Sequence, residues 1–134
     1  AGSRILVMAT PMTLKEEKFH HLMEHYSGQT QIQPVSSEGL MEFVERGILE
    51  GPELETFLRQ LLLPYLPADS IVLGCTHYPF VKKSIARVAG PGTRILDGGE
   101  GTAREVKRRL EAENLRRDAG SAGQIAFYSS KETV

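Results

Sequence analysis

The chain has 134 residues, of which 40% are hydrophobic and 25% are charged, and its formal net charge is -1. These values are typical of one folded domain and argue against a disordered, membrane-spanning or nucleic-acid-binding chain. The single cysteine cannot form an internal disulfide. No apolar run approaches the roughly 20 residues of a membrane helix. We therefore expect a cytoplasmic protein whose partner is a small molecule or another protein.

The first part of the chain alternates strand and helix patterns. Residues 4–9 (RILVMA) predict a buried strand, after which threonines and a proline suit a turn and a helix cap. A helix is expected over Leu14–Tyr26, where apolar residues recur at three- and four-residue spacing. A weaker strand over Thr30–Val35 then leads to a helix that Ser36 or Ser37 caps.

The remainder of the chain repeats this alternation, with glycines and prolines at the boundaries. Its predicted elements are a helix from Pro52 to Pro64, a strand over Ser70–Gly74, a helix after Pro79, a strand over Thr93–Leu96, a helix over Thr102–Asn114 that buries Val106 and Leu110, and a last strand over Gln124–Ser129. The pattern predicts a three-layer α/β/α fold with a mostly parallel sheet. We expect one α/β domain over 1–134, in which 115–134 form a linker and a C-terminal strand.

The only cysteine follows a predicted buried strand and stands two residues before a histidine. A thiol there would lie near the positive end of a helix dipole, which favours the thiolate. The amides of Thr76 and His77 would be free to hold a carboxylate, and His77 could act as acid or base. Equally, Cys75 could be a small buried side chain and His77 a polar loop residue.

Further polar residues allow a functional and a structural interpretation. Thr10 and Thr13 could bind a carboxylate through their hydroxyls or could cap a helix. Glu45 is close to a helix end and could belong to a site or to the surface. Cys75 and His77 together with histidines of the first helix have no recognisable zinc spacing, so we expect no metal. Those histidines are His20, His21 and His25.

The segment GCTHYPFVKKSI resembles the signature that contains the second catalytic cysteine of the glutamate racemases. Other segments resemble the same family in the same order. They are VMATPMTLKEEKF, GLMEFVERGILEGPE, ILDGGEGTAREV and IAFYSS. The resemblance covers nearly the whole chain and corresponds to the C-terminal half of the family, which has two pseudo-symmetric α/β halves and one catalytic cysteine in each.

The resemblance implies a role for six residues. Cys75 matches the second thiol, His77 its assisting histidine, and Thr76 a residue that binds the substrate carboxylate. Thr10 and Thr13 match substrate-binding threonines. The supporting catalytic glutamate is best matched by Glu45, although Glu42 is close in register. Two departures, Pro11-Met12 and Ser37-Glu38, concern the shape of the cleft.

The resemblance implies a cofactor-independent glutamate racemase that supplies D-glutamate for peptidoglycan, and so for cell-wall biogenesis and cell shape. The chain would be a fragment, inactive alone, whose partners are glutamate and a missing N-terminal half or another copy of itself. No nucleic acid or membrane partner is expected. The alternatives are an aspartate-specific or single-cysteine member of the same superfamily, such as a decarboxylase, and a non-catalytic carboxylate-binding or oligomerisation domain.

Overall fold

The computed structural model describes residues 3–26, 28, 30–117, 120, 122–128 and 130. Its strands are β1 (Arg4–Ala9), β2 (Gln31–Ser36), β3 (Ser70–Leu73) and β4 (Arg94–Asp97). Its α-helices are α1 (Pro11–Lys15), α2 (Glu17–Tyr26), α3 (Leu40–Glu45), α4 (Pro52–Leu62), α5 (Lys82–Ala89) and α6 (Gly99–Ala112). The chain divides into two compact units, Ala1–Gly99 and Glu100–Val134. The single domain predicted for 1–134 stays a prediction.

The four strands of the first unit form one parallel sheet in the order β2-β1-β3-β4. The chain therefore passes from β1 to a neighbour on one side, and then returns across β1 to β3 on the other side. This reversal makes the gap between β1 and β3 the topological switch point of the sheet, where open α/β folds bind ligands. Helices lie on both faces of the sheet, so the predicted α/β fold class is confirmed.

One face of the sheet forms the main core. Leu6 and Met8 of β1 are fully buried there, beside the paired residues Ile71 and Leu73 of β3. The apolar stripe of α4 and residues of α5 cover this face and belong to the same cluster. That cluster includes Leu54, Leu58, Leu62, Ile85 and Val88. Burying each such side chain stabilises the fold by about 1.5–3 kcal/mol.

The opposite face of the sheet is covered less completely. Side chains of β1, β2 and β3 face α2 there, around an apolar cavity of about 280 Å³. The lining residues are Ile5, Val7, Leu22, Met23, Tyr26, Thr30, Ile32 and Val72. Although periodicity places Leu22 and Tyr26 on the inner side of α2, 53% and 46% of their surfaces stay exposed.

The predicted helix over Leu14–Tyr26 is interrupted and begins earlier. Thr10 caps α1, because its side-chain oxygen accepts a hydrogen bond from the Thr13 amide. The backbone of Glu16 is extended, which ends α1 before α2 starts. The helix expected after Pro79 likewise starts with a separate turn, a 3₁₀ segment over Tyr78–Val81 that precedes α5.

The prediction that Ser36 or Ser37 caps α3 is wrong. The residue before α3 is Gly39, which has a φ of 90° and makes no side-chain cap. Ser37 instead donates its hydroxyl to the carbonyl oxygen of Val35. The left-handed conformation of Gly39 turns the chain into the helix, and this conformation is one that glycine adopts readily.

The second unit contains most of α6, whose apolar residues were expected to be buried. Instead, Val106 and Leu110 are 52% and 38% exposed. Residues 122–128 form neither helix nor strand, so the strand predicted over Gln124–Ser129 is absent from its described part, and Ser129 lies outside the described residues. A strand forms when a neighbouring strand bonds its backbone, and the described residues of the second unit include no other strand.

Candidate active site

The loops that follow β1 and β3 meet at the switch point of the sheet. Met8 pairs with Leu73, so Thr10 and Gly74 begin their loops at nearly the same level. Neighbouring strands lie about 4.8 Å apart, which brings the two loops side by side. The sequence placed its candidate residues Thr10, Thr13, Cys75 and His77 in these two loops.

Gly74 allows the cysteine loop to approach β1 closely. Its amide donates to the carbonyl oxygen of Met8 at 2.8 Å. A Cβ atom at this position would lie 2.9 Å from the same oxygen, closer than such atoms normally approach. The absence of a side chain at Gly74 therefore allows the cysteine loop to lie against β1, where the hydrogen bond to Met8 holds it.

The thiol of Cys75 lies beside the imidazole of His77. The Cys75 side chain is half-buried, and its Sγ atom is 3.8 Å from Nδ1 of His77. This separation is within hydrogen-bonding distance for sulfur. A histidine nitrogen at this place can accept the thiol proton and leave a nucleophilic and basic thiolate.

Glu45, the last residue of α3, contacts the other side of the same imidazole. Its Oε1 atom lies 2.7 Å from Nε2 of His77. An ionised carboxylate only accepts hydrogen bonds, so for a neutral His77 this contact favours the tautomer with the proton on Nε2 and the Nδ1 lone pair toward Cys75. The three side chains thus form one hydrogen-bonded chain. Of the two glutamates left open by the sequence, Glu45 is the one that makes a hydrogen bond to His77 among the described contacts.

Two backbone amides next to the thiol are available to a ligand. Within the described residues, the amides of Thr76 and His77 donate to no other group, whereas the Tyr78 amide donates to the carbonyl oxygen of Cys75. The side chain of Thr76 is exposed. An anionic group placed above this turn could accept both free N–H groups.

The hydroxyls of Thr10 and Thr13 lie 3.0 Å apart. The Thr10 hydroxyl oxygen also accepts a hydrogen bond from the Thr13 amide at 3.3 Å, so the helix-capping interpretation of Thr10 is correct. Capping occupies one acceptor position of the hydroxyl, and each hydroxyl can still bond a ligand. Substrate binding by these two threonines stays a prediction.

Sequence reasoning missed Tyr78, which is fully buried below the cysteine loop. Its hydroxyl donates to the backbone oxygen of Ser37 at 3.3 Å. Burial, together with the nearby Cys75 and Glu42, raises the pKa of Tyr78 to about 12. The phenol is therefore neutral at physiological pH. A tyrosine between a site histidine and a proline was the available signal.

Asp97, at the end of β4, forms an ion pair with Lys82. Its Oδ2 atom accepts from the Lys82 ammonium at 2.7 Å, and its Oδ1 atom accepts from the Gly99 amide at 3.0 Å. Both interactions favour the carboxylate, and they lower the pKa of Asp97. The pair links the start of α5 to the end of β4.

No protein-family model matches the chain. It is 46% identical over 130 residues to a glutamate racemase of Clostridium perfringens, a match that covers 96% of this chain and 50% of the relative. A glutamate racemase of Clostridium botulinum is 45% identical over 128 residues, again across 50% of its length. The chain is similar in sequence to these glutamate racemases. It spans about half the length of the curated relatives it matches.

Solved glutamate racemases share the fold of the chain. The enzyme of Campylobacter jejuni superposes with a TM-score of 0.81 at 27% identity, over 98% of this chain and 50% of that structure. The Escherichia coli glutamate racemase, solved with L-glutamate and the activator UDP-MurNAc-Ala, has a TM-score of 0.72 at 30% identity over 83% of this chain. The resemblance to glutamate racemases noted from the sequence is thereby confirmed.

Other kinds of site find less support. Among the described residues, no group of three or more histidine, cysteine, aspartate or glutamate side chains is arranged to hold a metal ion. The described histidines of α2 are exposed, and His21 faces Glu17 at 3.9 Å. Within the same residues, none of the helices has the length and apolarity needed to cross a membrane.

Proposed function

We propose that this chain supplies one face of a glutamate racemase active site, in which Cys75 transfers the proton of the glutamate Cα atom. The hydrogen-bonded chain of Cys75, His77 and Glu45 at the switch point supports this proposal most strongly. The L-glutamate bound to the Escherichia coli relative supports the substrate class. Glu45 holds the tautomer of His77 in which Nδ1 accepts the thiol proton.

Racemisation requires a proton to leave one face of Cα and another to arrive on the opposite face. The Cys75 thiolate takes the proton, so an S–H bond forms as the C–H bond breaks. The electron pair stays on the substrate and is delocalised into its carboxylate. The free amides of Thr76 and His77 and the hydroxyls of Thr10 and Thr13 would stabilise that charge. A second acid on the opposite face then protonates Cα.

The chain contains one cysteine, and one thiol cannot serve both faces. We propose that the second thiol comes either from an N-terminal half or from another copy of the chain. A single copy should therefore not invert glutamate. The D-glutamate product would serve peptidoglycan synthesis in the cytoplasm, without a cofactor.

The proposal can be tested by replacing the matched 130 residues of the Clostridium perfringens racemase with this chain. Polarimetry with L- and with D-glutamate would measure inversion by the hybrid. We expect inversion in both directions, and we expect Cys75→Ser to abolish it without abolishing glutamate binding. A folded hybrid that binds glutamate but does not invert it would contradict the proposal and favour a carboxylate-binding domain.

The same hybrid can show whether the site prefers glutamate or aspartate. The residues on one face of the substrate do not decide this preference. Inversion of L-aspartate at a rate above that of L-glutamate would favour the aspartate-specific alternative. The isolated chain provides the control for the second thiol. Inversion by the isolated chain at micromolar concentration would show that two copies assemble a complete site.

A further inference from the structure

The hydroxyl of Tyr78 joins two loops that flank the end of β1. It donates to the backbone oxygen of Ser37, which follows β2, whereas Tyr78 itself follows β3. Because β1 lies between β2 and β3, this hydrogen bond passes the carboxyl end of β1. The Ser37 amide in turn donates to the carbonyl oxygen of Ala9 at 2.9 Å, and the Gly74 amide donates to the carbonyl oxygen of Met8. Hydrogen bonds therefore join the ends of three strands.

Tyr78 is also the last residue of the turn that contains the thiol. Its amide donates to the carbonyl oxygen of Cys75 at 3.2 Å, so the turn is closed at the backbone. Its fully buried side chain fixes that turn to the core. A buried phenol without a partner would be costly, and the Ser37 carbonyl supplies the partner.

We propose that Tyr78 is a positioning residue for Cys75, and that its hydroxyl bond to the Ser37 backbone keeps the thiol within reach of His77 Nδ1. This inference rests on the proposed function, because it assumes that the contact between Cys75 and His77 is used. Phenylalanine would fill the same space below the loop. It could not bond Ser37, and the turn would then be held by packing alone.

Cys75 is the only cysteine of the chain, so the rate of alkylation by iodoacetamide reports on this thiol alone. The rate should be measured from pH 6 to 9 for the wild-type chain and for Tyr78→Phe, His77→Asn and the double variant. Tyr65→Phe is the matched control, because Tyr65 lies in a 3₁₀ turn before the opposite end of β3. Urea unfolding of each variant would show which of them are folded.

We expect Tyr78→Phe to slow alkylation at pH 7 by roughly two- to tenfold, the range that the loss of one buried hydrogen bond gives. Tyr65→Phe should leave the pH profile unchanged. His77→Asn should slow alkylation in the wild-type background and should have a smaller effect when residue 78 is phenylalanine. Such coupling is the sign that Tyr78 acts through the contact between Cys75 and His77.

A folded Tyr78→Phe variant with the wild-type pH profile and the full response to His77→Asn would overturn the inference, while leaving the proposed function standing. If His77→Asn has no effect in the wild-type background, the proposed function loses its activated thiol as well. Should Tyr78→Phe fail to fold, proton NMR of the wild-type chain decides. A slowly exchanging Tyr78 hydroxyl proton close to Ser37 is expected, and rapid exchange with solvent would overturn the inference.

Discussion

The Nε2 atom of His77 lies 2.7 Å from Oε1 of Glu45, and Nδ1 of the same ring lies 3.8 Å from the Cys75 sulfur. The carboxylate thus orients the ring that faces the thiol. Since 61% of the Glu45 side chain is exposed, we expect this pair to contribute no more than about 1 kcal/mol to stability. Its main effect should be on the tautomer of His77.

Glu45→Gln should therefore reduce the population of His77 that is protonated at Nε2, because an amide can donate as well as accept. Two-dimensional ¹⁵N NMR of the imidazole measures the tautomer directly. Glu42→Gln is the matched control, since Glu42 lies one helical turn earlier and makes no hydrogen bond to His77 among the described contacts. Equal tautomer populations in Glu45→Gln and the wild type would contradict the orienting role of Glu45.

Gly74→Ala should destabilise the fold and displace Cys75. The added Cβ atom would meet the Met8 carbonyl oxygen at 2.9 Å, and this oxygen belongs to a central strand that cannot easily move. A clash of this kind costs about 1–3 kcal/mol in the free energy of unfolding. Gly92→Ala is the control, because a Cβ atom there meets nothing within 4 Å. Urea denaturation should separate the two variants, and equal midpoints would argue against the close approach.

The ion pair between Lys82 and Asp97 should make the free energy of unfolding fall at acidic pH. The pKa of Asp97 is lowered in the folded state, so the pair stabilises the fold above the ordinary aspartate pKa of about 4. That stabilisation should be lost as the pH falls through the lowered value. Lys82→Met should therefore weaken the chain at pH 7 more than at pH 3.

Lys83→Met is the control for this prediction, since Lys83 is exposed and forms no ion pair in the described part of the chain. The free energy of unfolding would be measured in urea at both pH values. A loss for Lys82→Met that is as large at pH 3 as at pH 7 would show that Asp97 is not its electrostatic partner.

Tyr78 should ionise at a higher pH than an exposed tyrosine. Burial and the nearby acidic groups raise its pKa from 10.0 to about 12. Since the folded state favours the neutral phenol, this contribution to stability is complete below pH 10 and is lost as the pH rises toward 12. Ultraviolet titration of tyrosinate should show a late step that Tyr78→Phe removes and Tyr65→Phe retains. A titration curve in which Tyr78→Phe keeps the late step would contradict the assignment.

Much of the fold could be predicted from the sequence, because most elements depend on local patterns. The helix α4, for example, can be predicted from its own residues, which begin with a proline and continue with an apolar stripe. The end of the chain is different, because a strand requires a neighbour that local sequence does not supply. Residues 122–128 have an apolar pattern typical of a strand, and Phe127 is 91% exposed in the structure.

The site was predicted in part for the same reason. Cys75 and His77 are two residues apart, so their proximity follows from the sequence itself. The choice between Glu45 and Glu42 depends on the direction in which α3 packs, and only the fold shows it. The role of Tyr78 could not be predicted from the sequence, because its partner is the backbone carbonyl of Ser37, 41 residues away.

The role of Cys75 is tested most directly by solvent deuterium incorporation at Cα, measured by proton NMR with L- and D-glutamate separately, in the hybrid racemase described above. With Cys75→Ser, we expect no inversion of either enantiomer. We also expect exchange to persist only for the enantiomer whose Cα proton faces the remaining base. Near-normal inversion by the Cys75→Ser hybrid, or equal exchange of both enantiomers, would contradict the assignment of Cys75 as the acid/base on one face.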